Sequence, residues 1–412
     1  MKTIYSSSSE LGKNKHIFWA SIAFAFFTDV KCLTSVFSAF NITSEGSSIM
    51  SLFYIFIVGV IYFLSLKDKQ SFFASLGRAK ILVLSYIIFS FLFTTTFLIP
   101  PLVSLNYFLV FTVAAFCIPS LLTINSKTYI EWVVLLPILG ILRLEKIFAP
   151  EFDVDEGNIS MGQSYAFLIP ILACLLYLKF YFRDESDKFK KAIMVVATIV
   201  NCIYLFQLLL FGSRGPIVCI LAFVLFFYIF PFKKGKGVYL NKRFSLVILI
   251  FLVLSYVFFK NILFFISDLL NSYDINVIAI DKLISLYNSG DVSNGRDFVY
   301  AASLDGFYSN PFFGLGLDQF FYNTGEPYPH NSILQIMYDG GLLFVIILLF
   351  PFSKGIFDIY KSANRDKYVL VTFFLFAGFF SSMFSDNLWM QPIFWLCMGV
   401  VLTKKNIIAN VS

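Results

Sequence analysis

Runs of apolar residues about twenty long divide this chain, and they decide most of what it can fold into. There are twelve, at roughly 16–38, 49–66, 80–99, 102–124, 129–147, 163–182, 191–211, 216–232, 244–266, 332–352, 367–386 and 388–403. A bilayer's hydrocarbon core is about 30 Å thick and a helix rises 1.5 Å per residue, so each run is near the length of a crossing. In hydrocarbon every backbone polar group must be paired within the protein, which leaves helices and closed barrels. The runs are continuous rather than alternating, so helices are expected. Charged residues make up only 14% of the chain and hydrophobic ones 58%, against about 25% charged in soluble domains. The expectation is an all-α polytopic membrane protein with about 12 transmembrane helices, a single integral domain over 1–412.

The ninth run, FSLVILIFLVLSYVFF, reads as one clean span. The first contains Asp29 and Lys31 and has no clear cleavage site, so it reads as a retained span rather than a removed signal peptide. The last two, separated only by SDNLW, read as two spans or as a re-entrant pair.

Lys and Arg placement sets the orientation. With the N-terminus inside, all but seven of the 31 Lys and Arg fall in or beside inside segments, Arg78, Lys80 and the KKGKG loop among them. The exceptions are Lys31, Arg143, Lys146, Arg214, Lys260, Lys282 and Arg296. Both termini are therefore expected in the cytoplasm. The opposite face receives the acidic loop APEFDVDEGN, the Ser213-Arg214 junction, and a large extracytoplasmic loop at 267–331 between spans nine and ten. That loop has composition suited to structure. VIAIDKLISLY carries apolar residues at helical spacing, as an interfacial amphipathic helix would. NGRDFVYAASLDGFYSNP reads as a second helix that ends at Asn310-Pro311, and FFGLGLDQFF as a glycine-rich bend with aromatic anchors. The six cysteines (Cys32, Cys117, Cys174, Cys202, Cys219 and Cys397) lie in or beside apolar runs without CxxC spacing, and read as small buried hydrophobes.

Three outer-face residues carry chemistry. Arg214, in LLLFGSRGPIVCI, is a lone arginine between two apolar helices. It is costly there unless paired or reaching water, and its fork suits a phosphate or carboxylate. The alternative is a turn arginine held by lipid headgroups. Arg296 starts the second loop helix; it serves either the same purpose or an ion pair with Asp297. His330 sits at the mouth of the tenth run with an ordinary pKa near 6.5, which suits a proton acceptor at neutral pH; an interfacial histidine without a catalytic role is the alternative. Asn331 and Ser332 can cap the helix that follows. The outer acids Asp318, Glu326, Asp155 and Glu156 can serve as base or hold a sugar hydroxyl, or are solvated loop charges. Asp339, within the tenth run, calls for a structural partner. One outer histidine without a cysteine cluster argues against a metal site, and no nucleotide-binding pattern occurs. Whatever is done outside must use a substrate already activated.

The order of three motifs carries a resemblance. SRGP at 213–216, an arginine early in a large outer loop (NGRDFVYAASLDGFYSNPFFGLG), and His-Asn before an apolar helix (PHNSILQIMYDGG) together resemble the O-antigen polymerase and O-antigen ligase superfamily, the Wzy-type proteins of surface polysaccharide assembly. The resemblance covers mainly residues 205–350. It implies a GT-C-like membrane glycosyltransferase of the bacterial inner membrane that works on undecaprenyl-diphosphate-linked oligosaccharides at the extracytoplasmic face. It implies no cofactor and no nucleic acid, and a chain-length regulator protein as a further partner. Arg214 and Arg296 would clamp the diphosphate and His330 would activate or orient the acceptor, with Ser213, Asn331, Asp318 and Glu326 as substrate-binding candidates. Gly341 is followed three residues on by Phe344, where ligases tend to place a further glycine, which tips the reading toward a polymerase. A ligase and a lipid-linked oligosaccharide flippase remain as alternatives.

Overall fold

The computed structural model describes residues 2–29, 46–65, 72–138, 161–233, 236–273, 277–290, 295–384 and 387–403. These residues form a helical bundle with one small hairpin. In chain order the helices are α1 (Lys2–Thr28), α2 (Gly46–Ser65), α3 (Phe72–Phe97), α4 (Leu105–Leu121, with a π-helical stretch at Phe108–Ala114), α5 (Ser126–Leu135), α6 (Met161–Phe180), α7 (Lys188–Phe211) and α8 (Arg214–Ile229). The hairpin follows, Phe232–Lys233 against Gly237–Val238. Then come α9 (Lys242–Val257), α10 (Phe259–Asn271), α11 (Ile278–Ser289), α12 (Arg296–Ser309), α13 (Phe320–Thr324), α14 (Ser332–Lys361), α15 (Arg365–Phe374) and α16 (Pro392–Leu402).

Each of the twelve apolar runs coincides at least in part with a described helix. Among the described residues five helical stretches are long and apolar enough to cross a membrane: Leu76–Phe97, Gly162–Phe180, Lys188–Leu210, Ser332–Lys361 and Arg365–Met383. Four more, Leu52–Ser65, Leu105–Leu121, Arg214–Ile229 and Pro392–Leu402, are apolar but shorter. The ninth run differs from expectation. Its helix bends by 80° between α9 and α10, which together make a sixth crossing if counted as one broken span. α10 is strongly amphipathic, and a helix with one polar face does not continue straight through hydrocarbon.

Asparagine and aspartate begin several helices by accepting the first free backbone N–H groups. Asn125 accepts from Thr128, Asp187 from Phe189 and Lys190, Asn331 from Ile333 and Leu334, and Asn364 from Lys367. The core is aromatic. Trp389 stacks on Phe344 at 5.9 Å and on Trp395 at 5.4 Å, and Tyr86 stacks on Phe344 at 4.9 Å. The outward faces are also apolar. Phe251 is 67% exposed on α9 and Phe89 65% on α3, a surface that acyl chains rather than water would cover.

α14 is not the continuous span that its hydropathy suggests. It breaks at Gly341, whose φ of 61° and ψ of −161° are non-helical. The bend at 311–316 repairs the break from both sides. Leu342 N–H donates to Pro311 O at 2.7 Å and Leu343 N–H to Phe312 O at 3.1 Å; in return Leu315 N–H reaches Tyr338 O at 2.8 Å and Gly316 N–H reaches Asp339 O at 3.0 Å. Tyr86 Oη donates to Gly340 O at 3.2 Å. Irregular backbone at membrane depth is tolerated only when its polar groups are satisfied in this way.

Lys80, counted above with the loop cations, is instead fully buried within α3. Its Nζ donates to Ser120 Oγ at 2.7 Å, Thr403 Oγ1 at 2.9 Å and Gly399 O at 3.1 Å. Cys117, Cys174, Cys219 and Cys397 are buried as expected, whereas Cys202 is exposed and Cys32 lies outside the described residues.

Candidate functional site

Arg214 and Arg296 each stand at the start of a helix. Arg214 is the first residue of α8 and Arg296 the first of α12. Gly295 precedes Arg296 with φ 76°, a left-handed conformation that a glycine adopts without strain. The N-cap of α8 is Ser213, whose side chain makes no capping hydrogen bond and whose buried Oγ has no partner among the described residues. Its N–H donates to Ser164 Oγ at 3.2 Å. The first turn of α8 therefore presents free N–H groups and the positive end of its dipole. Burial lowers the pKa of Arg214, and the nearby charge of Arg296 lowers it further. Two like charges thus share a partly desolvated space. Neither forms an ion pair with any described residue, Asp297 included.

A turn at 381–384 ties this helix start to His330. A Cβ on Gly215 would strike Tyr165 Oη and come within 3.2 Å of Phe384 Cβ, so glycine is what permits the approach. Ser382 Oγ donates to Ser332 Oγ at 2.8 Å, two residues beyond His330. His330 has φ 54°, uncommon for a residue with a Cβ, and its ring lies 4.4 Å from that of Tyr328.

Tyr165 and Tyr328 both line one cavity of about 420 Å³, which also takes in Thr28, Asp29, Tyr54, Tyr107, Asn387 and Gln391. Tyrosine faces with amide and carboxylate edges offer flat apolar stacking surfaces beside hydrogen-bonding groups, which matches a carbohydrate's alternation of C–H faces and hydroxyls. Two of the cavity's lining residues thus reach the groups described above: Tyr165 packs against Gly215 at the start of α8, and Tyr328 against the His330 ring.

Of the other expected residues, Asn331 uses its Oδ1 to cap α14. Asp318 is 2% exposed, with Oδ2 accepting from Val103 N–H at 2.9 Å and Oδ1 from Asn387 Nδ2 at 2.6 Å. It braces the bend that precedes it against the bundle. Glu326 is half-buried, and its N–H donates to Thr324 Oγ1. Asp155 and Glu156 lie outside the described residues. The cavity tyrosines, Asn387 and Gln391 escaped sequence reasoning because each sits singly in or beside an apolar run. The SDNLW turn was the one local signal pointing to them. Among the described residues no three His, Cys, Asp or Glu side chains gather to hold a metal.

Residues 199–349 match the Wzy_C family model, described as O-antigen ligase. The match runs from α7 into α14 and takes in Arg214, Arg296 and His330. It supports the O-antigen polymerase and ligase superfamily that the three motifs resemble, and with it a membrane enzyme of the O-antigen ligase or polymerase type. No curated protein matches the chain.

Proposed function

We propose that the chain polymerises lipid-linked oligosaccharide repeat units, passing the growing glycan from undecaprenyl diphosphate onto the next undecaprenyl-diphosphate-linked unit. An acceptor hydroxyl attacks the donor's anomeric carbon. The bond from that carbon to the phosphate oxygen breaks, and the leaving diphosphate keeps the electron pair. Negative charge grows on that leaving group, and Arg214, Arg296 and the free N–H groups of the first turn of α8 are placed to stabilise it. His330 takes the proton of the acceptor hydroxyl. The tyrosine-lined cavity receives the sugars. The lipid diphosphate is already activated, so the transfer calls for no nucleotide. The mouth faces the extracytoplasmic side, the orientation that the Lys and Arg distribution favours.

The observation that carries this reading is the pairing of two guanidiniums, each at a helix start and neither neutralised by a described acid. That is an arrangement waiting for an anion with more than one charge. The test is the surface-glycan length profile of a deletion strain, complemented by the wild type and by Arg214→Ala. Loss of the long ladder to a single repeat, restored by the wild type and not by Arg214→Ala, is the expected result; an unchanged ladder overturns it. The description of the matching family favours a second reading, an O-antigen ligase. On that reading the deletion strain keeps long chains on undecaprenyl diphosphate, unattached to their final acceptor.

A further inference from the structure

The far end of the bundle holds a second cavity. α14 runs from Ser332, beside His330, to Lys361, so its last turns lie roughly 40 Å along the helix contour from its His330 end. There a space of about 380 Å³ opens between the ends of α14 and α16 and the starts of α15 and α3. Lys354, Asp358, Lys367 and Thr403 supply its polar lining, and Pro351, Leu370 and Val400 are among its apolar walls. Neither lysine forms an ion pair with a described residue, and Asp358, one turn after Lys354, forms none either. Thr403 Oγ1 accepts from the buried Lys80 Nζ at 2.9 Å. Lys80 is ringed by neutral oxygens with no carboxylate among its hydrogen-bond partners, so a third amine stands behind the floor of the cavity.

We infer that this cavity seats the headgroup of an anionic glycerophospholipid in the leaflet opposite the arginine mouth. Lys354 and Lys367 hold the phosphodiester as two point charges. Asp358 accepts a hydrogen bond from a headgroup hydroxyl, and the acyl chains leave along the apolar wall. Two lysines against one carboxylate favour a headgroup with net negative charge over a zwitterion. The apolar wall and the exposed Phe350 and Phe357 on the same helix place the opening against acyl chains, which favours a lipid over a soluble anion. The inference needs the membrane setting, not the glycosyl transfer proposed above.

The test uses the purified full-length protein, stripped of lipid in neutral detergent and supplied in turn with phosphatidylglycerol, phosphatidylethanolamine, phosphatidylcholine and inorganic phosphate. Bound lipid is read by native mass spectrometry and melting by tryptophan fluorescence. Phosphatidylglycerol is expected to stay bound and raise the melting temperature, with at least tenfold less retained by a Lys354→Gln/Lys367→Gln variant. Lys354→Arg/Lys367→Arg, which keeps the charge, and Arg214→Ala, at the other end, retain it as the wild type does. Equal retention of phosphatidylethanolamine or phosphatidylcholine overturns the inference. So does undiminished retention by the glutamine variant, or an equal melting shift from inorganic phosphate.

Discussion

Trp389 donates its indole N–H to Asp339 Oδ2 across 2.6 Å, inside the bundle where Asp339 is 2% exposed. This is the structural partner that an acid within a span requires. Asp339→Ala leaves a buried donor unpaired and is expected to cost about 2 kcal/mol of stability. Asp339→Asn keeps an acceptor oxygen and costs less. Denaturant unfolding in detergent ranks the two; equal losses would show that the hydrogen bond contributes nothing.

Gly341→Ala is expected to destabilise by about 2 kcal/mol, through both strain and overlap. The position has φ 61°, and the added Cβ would lie 2.6 Å from Phe312 C and 2.7 Å from Gly314 N. The expected readout is a lower melting temperature together with weaker binding of lipid diphosphate, because the displaced bend holds the end of α12.

Arg214→Ala and Arg296→Ala are each expected to lower kcat roughly 10²- to 10³-fold, the scale for losing one preorganised stabiliser of a developing anion. Lysine at either position keeps the charge without the fork and should fall between alanine and wild type. Assays with a synthetic lipid-linked repeat unit, resolved by length on gels, measure this. Unchanged kcat in both alanine variants would remove the arginines from the chemistry.

His330→Asn separates backbone from chemistry. Asparagine tolerates the left-handed conformation at φ 54°, so melting should stay close to wild type. Turnover should fall by about 10²- to 10⁴-fold with the loss of the proton acceptor. A variant that melts normally and turns over normally would rule out His330 as the base.

At the far end, Glu185 ties three segments together. Its Oε2 lies 3.0 Å from Lys127 Nζ and 3.3 Å from Lys190 Nζ, and Asp187 N–H donates to Oε1. Burial alone would raise its pKa, but these hydrogen bonds and charges prevail and hold it down to about 2. A folded-state value below the ordinary one contributes stability that is complete above the ordinary value of 4.5 and is lost as pH falls toward 2. Melting followed from pH 6 to pH 3 should therefore drop in wild type and drop less in Glu185→Gln.

What the sequence revealed was mostly local. Asn294-Gly295 before Arg296 and Asn310-Pro311 after Ser309 bracket α12 correctly, because start and stop signals act on their own neighbours. The capping by Asn331 was legible for the same reason. The break at Gly341 was not, since it exists only because residues 311–316 pack into it, and hydropathy reads straight through. Lys80 looked like a loop cation because its hydroxyl partners, Ser120 and Thr403, are 40 and 323 residues away. Of the site, the two arginines and the histidine stood out as polar exceptions at the ends of apolar runs. Tyr165 and Tyr328 did not, because a tyrosine in an aromatic-rich membrane chain signals nothing until the fold shows which cavity it borders.

The clasp at Gly341 limits how anything can enter. Lifting the 311–316 segment away would break four backbone hydrogen bonds and leave eight groups without partners, four on α14 and four on the bend, at several kcal/mol for each group left unsatisfied in hydrocarbon. The bend is therefore fixed to α14 rather than hinged on it. On the reading proposed above, a lipid-linked substrate therefore meets a rigid surface at this bend rather than a flap that swings aside for it.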